Sequence, residues 1–188
     1  MKMEMSEKIE TELLGNYLIV WDPKKGSKLY RMGFYGKPLG VSKPKTTEFD
    51  LPLILDLMEG LYLKEKGLIE VYIGEDCRKV ELQELRLKAK KIYEDFDLKY
   101  MVYRDLRDSG LIVTPGIKFG CDFAVYKRGP GLEHAPYLIS VKNVDDEISA
   151  DEIVKAGRLA TTVRKRFIIA VPKSEENIEY LIFRWFKA

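Results

Sequence analysis

A single histidine occurs in the 188 residues, and it is the first place to look for chemistry. Imidazole is the side chain whose ordinary pKa lies nearest neutrality, so a chain with one copy has one candidate for imidazole-based proton transfer. His134 lies in Arg128-Gly129-Pro130-Gly131-Leu132-Glu133-His134, a Gly/Pro-rich loop directly after a strand-like run that ends at Tyr126. Loops carried on rigid strands are favoured sites of function. Taken alone, the same histidine reads equally well as a solvated surface residue. Arg158 and Lys165 form the second group. Seven residues apart, they fall about 20° apart on a helix and are offset by more than roughly 100° from the apolar stripe Ile153, Ala156, Ala160 and Val163. Both cations are therefore expected to leave the core. Periodicity leaves open a solvated helix side on which Arg164, Lys165 and Arg166 complement the negative C-terminal end of the helix dipole.

These groups need a scaffold, and hydrophobic patterning outlines one. Residues 17–21 and 28–30 read as strands separated by the turn-rich Asp22-Pro23-Lys24-Lys25-Gly26, and a loop is expected around Gly36-Lys37-Pro38. From Asp50 as N-cap, Ile54, Leu57, Met58, Leu61 and Tyr62 recur at helical spacing as far as Gly67, after which 69–73 is a β-branched strand. A second helical pattern through Leu82, Leu85, Ala89, Ile92 and Phe96, continued by Tyr100, Tyr103 and Leu106, leads to Gly110. A domain boundary is expected inside it, which gives a small α+β domain at 1–85 and a C-terminal domain at 86–188. Residues 111–114 form a strand ending at Pro115-Gly116. Residues 118–126 alternate, with Phe119, Cys121, Phe123 and Val125 on one face and Gly120, Asp122, Ala124 and Tyr126 on the other. Tyr126 thus points away from the aromatic core face. Further strands are expected at 137–141, 167–171 and 178–186, and Ser149-Ala150-Asp151-Glu152 is a capping box opening the helix that carries Arg158. The fold class is α+β or α/β.

Composition sets the outer bounds. With 46% hydrophobic residues, 8 Pro and 14 Gly, the chain is globular, neither fibrous nor disordered. No run approaches the roughly 18 apolar residues of a membrane span, and residues 1–14 lack a signal-peptide core, so a cytoplasmic protein is expected. Cys77 and Cys121 lack metal-site spacing and read as reduced thiols. The formal charge is +2, from 32 basic and 30 acidic residues, but it is unevenly placed. Residues 1–97 carry 17 basic and 18 acidic side chains, a net of −1; residues 98–188 carry 15 and 12, a net of +3. Basic character therefore gathers in the half that holds His134.

Three stretches then bear a resemblance. Tyr103-Arg104-Asp105-Leu106-Arg107, the run Lys118-Phe119-Gly120-Cys121-Asp122-Phe123-Ala124-Val125-Tyr126 with His134 after it, and Arg158-Leu159-Ala160-Thr161-Thr162-Val163-Arg164-Lys165 resemble, in order and nearly in spacing, the catalytic domain of the archaeal tRNA-splicing endonucleases. Ser109 stands where a basic residue is common, and the interval from Tyr126 to His134 is a little short. Gly36-Lys37-Pro38 and Glu59-Gly60-Leu61-Tyr62-Leu63 resemble the family's smaller N-terminal domain. The resemblance implies a restriction-endonuclease-like catalytic domain, a mixed sheet flanked by helices. It also implies a triad of Tyr126, His134 and Lys165 that works without metal or cofactor. This triad would cut precursor tRNA at bulge-helix-bulge sites and leave 2′,3′-cyclic phosphate and 5′-hydroxyl ends. Tyr126 would be general base, His134 general acid and Lys165 the cation that stabilises charge on the phosphoryl oxygens. An ordinary tyrosine, with a pKa near roughly 10, is a poor base at neutrality, and a nearby ammonium lowers it. Arg158, and Arg184 on the last strand, match arginines that stack against a bulged base.

The family's short members form homotetramers, because two bulges require two sites at a fixed separation. The acidic turn with Glu175 and Glu176 resembles the loop that enters a neighbouring subunit's basic groove, and the apolar final strand is more than a free edge tolerates. A buried two-sided strand and a solvated hairpin tip describe the same residues. Two rival readings stand beside this one. Asp122 followed by Ser140-Val141-Lys142 resembles the strand residues of a metal-dependent DNA nuclease, with Ser140 in place of the second carboxylate. The chain also reads as a non-catalytic structural subunit of a heteromeric splicing endonuclease, against which the intact triad argues.

Overall fold

The structure, a computed structural model, opens with β1 (Ile9–Leu14), β2 (Tyr17–Val20), α1 (Pro23–Gly33), β3 (Lys37–Pro38), β4 (Leu53–Leu55), α2 (Leu57–Glu65), β5 (Ile69–Ile73), β6 (Arg78–Lys79) and α3 (Leu82–Lys90). There follow α4 (Phe96–Asp108), β7 (Ile112–Pro115), a 3-10 turn (Ile117–Phe119), β8 (Phe123–Tyr126), β9 (Tyr137–Val141), α5 (Ala150–Thr162), β10 (Arg166–Ser174) and β11 (Asn177–Ile182). Residues 8–41, 44–162 and 165–182 are described, with side chains at all of these except 155, 156 and 159–162. Contacts divide the chain into one unit ending at Glu94 and another beginning at Asp95; the boundary expected after residue 85 falls within α3. Both units mix helices with a sheet, in agreement with the α+β reading. Among the described residues no helix is long and apolar enough to cross a membrane.

The first unit holds a six-stranded sheet in the order β3-β4-β2-β1-β5-β6, with β1 parallel to β5. Two expectations fail here for local reasons. Residues 28–30 are helical: the Asp22 carboxylate accepts from the Lys24 and Lys25 N–H groups at 2.8 and 3.2 Å, and Pro23 supplies the fixed φ suited to a first helical residue. The Asp-Pro pair that reads as a turn is thus a helix start. Asp50 is not an N-cap, because Pro52 disfavours a helical Leu51 and residues 53–55 pair with β2 and β3 as β4. The helix begins after Asp56, which forms a reciprocal capping box with Glu59. Lys37-Pro38, expected in a loop, is a short edge strand. Gly36 leads into it at φ +71°, and any Cβ there would clash with the Ile54 carbonyl oxygen.

The second unit holds a five-stranded sheet in the order β11-β10-β9-β8-β7, in which β9 and β10 are parallel and joined through α5. α4 covers one face, with the Tyr103 ring 6.0 Å from that of Phe123. On the other face Ala124, Ala135, Leu138, Phe167 and Ile169 form a buried cluster, against which Phe119, Cys121, Tyr126 and Ile148 pack. The expected nine-residue alternation is broken: the 3-10 turn and Gly120 at φ +68° precede a strand of four residues. The interruption shifts the phase, so Phe119 and Cys121 join the face of Tyr126 instead of that of Phe123.

The Ser149 capping box is present: the Glu152 N–H donates to Ser149 Oγ at 3.2 Å, and Glu152 Oε2 accepts from the Ser149 N–H at 3.0 Å. Ile153, expected to seat the helix on the core, is 44% exposed; Ile148, ahead of the cap, makes that contact. The side chains of Ala156, Ala160 and Val163 lie outside the described residues. The final strand is described only as far as Ile182, so Phe183, Arg184, Trp185 and Phe186 fall outside as well.

Candidate active site

Strand register brings distant residues to one edge of the second sheet. β8 ends where β9 and β10 begin: Val125 stands opposite Tyr137, and Tyr137 opposite Arg166. The Arg166 N–H donates to the Pro136 carbonyl at 2.9 Å and extends the ladder toward the edge. Adjacent strands lie about 4.8 Å apart, so the ends of β8 and β10 are roughly 10 Å apart across β9. Because side chains alternate, Tyr126 and Lys165 fall on the face of Ala124, Leu138 and Phe167. Two residues far apart in the sequence thus end on one face of one edge.

Lys165 differs from its expected place. α5 ends at Thr162, and Lys165 lies just ahead of β10. It does not leave the core: it is 9% exposed, with its Nζ 4.0 Å from the centroid of the Phe119 ring. Strand parity turns the side chain inward, as it does Phe167 two residues on, which helical spacing cannot reveal. Burial pushes its pKa below the ordinary lysine value, and the neighbouring Cys121 opposes this only in part. Cys121 shares the pocket. Burial, with a contribution from the Asp122 carboxylate, pushes its thiol up to about 11, so it stays protonated near neutrality.

His134 is exposed on the loop between β8 and β9, one residue before the buried Ala135. Glu133 closes that loop: its Oε1 accepts the Lys127 and Arg128 N–H groups, each at 2.6 Å. Gly129 at φ +122° and Gly131 at φ +89° adopt the left-handed conformations that the closure needs. The backbone donors hold the Glu133 carboxyl below its usual pKa. The histidine is therefore tethered on both sides, by a hydrogen-bonded loop before it and an apolar anchor after it. Tyr126 is half-buried at the end of β8, paired with Ile112 of β7.

Arg158 is exposed on α5, and Arg184 lies outside the described residues. Glu175 and Glu176 are exposed in the turn between β10 and β11, where Glu175 Oε2 is 3.1 Å from Arg104 Nη2. Phe119 and Glu133 are the two contributors that the sequence reading passed over. Glu133 carried a signal, an acidic side chain beside two glycines and next to the lone histidine; Phe119 carried none, since its face depends on the broken alternation. The DNA-nuclease rival needs Asp122 for a metal, but its Oδ2 accepts the Val141 N–H at 2.8 Å and its Oδ1 lies 3.1 Å from Lys99 Nζ. Lys142, the lysine of that motif, pairs with Glu152 at 2.6 Å. Among the described residues no group of three or more His, Cys, Asp or Glu side chains gathers.

Comparison with known proteins bears on the same regions. Residues 96–180 match the family model described as the tRNA intron endonuclease catalytic C-terminal domain, and residues 9–86 match that of the tRNA intron endonuclease N-terminal domain. A tRNA-splicing endonuclease of Hyperthermus butylicus is 50% identical over 180 residues, covering 95% of this chain and 99% of that protein. The tRNA-splicing endonucleases of Saccharolobus islandicus (strain M.14.25 / Kamchatka #1) and Saccharolobus solfataricus are each 41% identical, over 181 and 188 residues, with the same coverage of both chains.

Proposed function

The chain belongs to the tRNA intron endonuclease family, and we propose that it is a cytoplasmic, homotetrameric endoribonuclease that excises introns from precursor tRNA at bulge-helix-bulge sites. What carries the reading is the approach of one tyrosine, one tethered histidine and one buried lysine to a single sheet edge. In this reading Tyr126, as phenolate, takes the proton of the 2′-hydroxyl, whose oxygen attacks the adjacent phosphorus. The bond from phosphorus to the 5′-oxygen breaks, and His134 donates the proton that the departing oxygen requires. The products are a 2′,3′-cyclic phosphate and a 5′-hydroxyl. Lys165 meets the charge that builds on the non-bridging oxygens. Its seat on Phe119 is largely closed to water, so a fixed positive charge there acts more strongly than one in solvent.

Arg158 supplies a planar cation for an unpaired base, with Arg184 as its proposed counterpart. Assembly through β11 is supported by Leu181 and Ile182, 44% and 46% exposed on an edge strand. Glu175 and Glu176 are the proposed subunit contact. Glu175 already holds Arg104, so a neighbour's cation would share or displace that partner.

The test incubates purified protein with a bulge-helix-bulge precursor RNA in EDTA and identifies the ends. Cyclic phosphate and 5′-hydroxyl are expected, with slow cutting by Tyr126→Phe and His134→Ala proteins that still bind. A need for divalent metal, or full-speed cutting by either variant, would overturn the mechanism. Sedimentation of the parent is expected to show a tetramer that Glu175→Lys with Glu176→Lys dissociates; an active monomeric parent removes the assembly.

A further inference from the structure

The register that puts Tyr126 and Lys165 on one face of the sheet edge puts Val125, Tyr137 and Arg166 on the other, and Lys127 follows Val125 at the same parity. The two cations meet over one ring. Lys127 Nζ lies 5.8 Å and the Arg166 guanidinium carbon 6.0 Å from the centroid of Tyr137. Both cations are exposed and the ring is half-buried. We propose that Lys127, Tyr137 and Arg166 form a second RNA contact, on the far face of the catalytic edge, which takes the phosphodiester backbone of the strand running past the cleaved bond.

Charge placement argues for it. Several other cations are matched: Lys64 and Lys79 to Glu70, Arg78 to Glu84, Lys99 to Asp122, Lys142 to Glu152, Lys173 to Glu179. Neither Lys127 nor Arg166 makes an ion pair among the described residues. Between Tyr126 and Tyr137 there is one carboxylate, Glu133, and it is engaged by the Lys127 and Arg128 backbone N–H groups. Lys127, Arg128, Lys165 and Arg166 thus leave this edge strongly positive. A ring at 6 Å holds a cation in place without neutralising it, because the interaction is with a quadrupole and not with a counter-charge. The cations keep their N–H donors for a polyanion, and a polyanion that threads the edge reaches the catalytic face and this one together.

The proposal rests on the reading of the chain as an RNA-cleaving enzyme, and the two are separable. The experiment measures binding of a bulge-helix-bulge RNA, with a 2′-deoxy substitution at each cleaved bond, against salt concentration for the parent and for the Lys127→Gln, Arg166→Gln double variant. Each lost phosphate contact lowers the steepness of log affinity against log salt by about 0.7–0.9, so the double variant is expected to lose roughly 1.5. Single-turnover cutting at saturating protein is expected to stay within about threefold of the parent, since neither residue touches the reacting atoms. Unchanged steepness in a folded double variant overturns the proposal. Unchanged steepness with a dissociated oligomer assigns the patch to a protein contact and overturns it equally. A parent that binds but does not cut the unmodified RNA, beside a double variant with reduced steepness, keeps this contact and removes the cleavage reading.

Discussion

Replacing Lys165 by Met removes one positive charge and leaves a flexible apolar stem over the Phe119 ring. The ammonium gains about 0.5–2 kcal/mol from the ring it faces at 4.0 Å. Against that stands the cost of keeping a charge where 9% of the residue meets solvent, a cost that shows in its depressed pKa. A thioether at the ring recovers about 0.3–1.5 kcal/mol and incurs no charge desolvation. The two ring contacts nearly cancel and the desolvation cost falls on the lysine alone, so Lys165→Met should leave the fold at least as stable at neutral pH, with a gain of about 1 kcal/mol, a shift in melting temperature of about 2–4 °C for a chain of this size. The sign with pH also follows. A lysine with a depressed pKa weakens the fold while it is protonated, and the penalty lifts as pH rises from the folded pKa toward the ordinary lysine value. The parent should therefore gain on the variant in alkaline melts. Cleavage should respond quite differently. Loss of a fixed charge aimed at the phosphoryl oxygens costs about 10²–10³ in rate, comparable with removal of an oxyanion-hole donor. Thermal melts between neutral and alkaline pH, together with single-turnover cutting of a precursor RNA in EDTA, measure both. A folded Lys165→Met protein that cuts within about threefold of the parent would refute the electrostatic role, and one that fails to fold would refute the near-cancellation.

Three other outcomes are expected. Glu133→Ala unlocks the loop before His134 and should lower kcat about 10- to 100-fold with KM nearly constant, whereas Glu133→Gln, whose side-chain oxygen still accepts the two N–H groups, should recover most of the rate. Equal losses in both variants, or a change in KM alone, would remove its positioning role. Burial raises the Glu70 carboxyl, but Lys64 and Lys79 outweigh it and bring the pKa to about 2, so its stabilisation is complete above the ordinary 4.5 and is lost as pH falls from there through about 2. Glu70→Gln should then cost about 2 kcal/mol near neutrality and almost nothing at the acid end, as read by denaturant titrations across that range. Arg158→Ala should weaken binding of bulged RNA by about 1–3 kcal/mol and leave an unbroken duplex unaffected, with Arg158→Lys failing to restore it, because stacking needs the guanidinium plane. Equal effects on both RNAs would make it an ordinary phosphate contact.

Local chemistry was legible wherever neighbours in sequence decide the outcome. The Ser149 capping box and the 69–73 strand each depend on a few adjacent residues, and each is present. Where one short pattern serves two structures, the sequence misled. Asp22-Pro23 suits a turn and a helix start alike, and Ile54 fits a helical spacing although it lies in a strand beside Pro52. The alternation at 118–126 failed because two glycines permit a 3-10 turn that period-two counting cannot sense.

The types and order of Tyr126, His134 and Lys165 were set by the sequence alone, as were the surplus of cations in the second half and the family resemblance. The placement of Tyr126 and Lys165 on one face was not. It depends on which residue of β9 faces Val125 and Arg166, a register chosen by side-chain burial on two faces of a sheet and by hydrogen bonds between segments tens of residues apart. That choice turns Lys165 from an expected solvent-facing helix residue into a buried cation on Phe119, and it places Tyr137 with Lys127 and Arg166 behind it. Period and propensity act within a segment, whereas burial and pairing act between segments, and only the folded chain resolves the second.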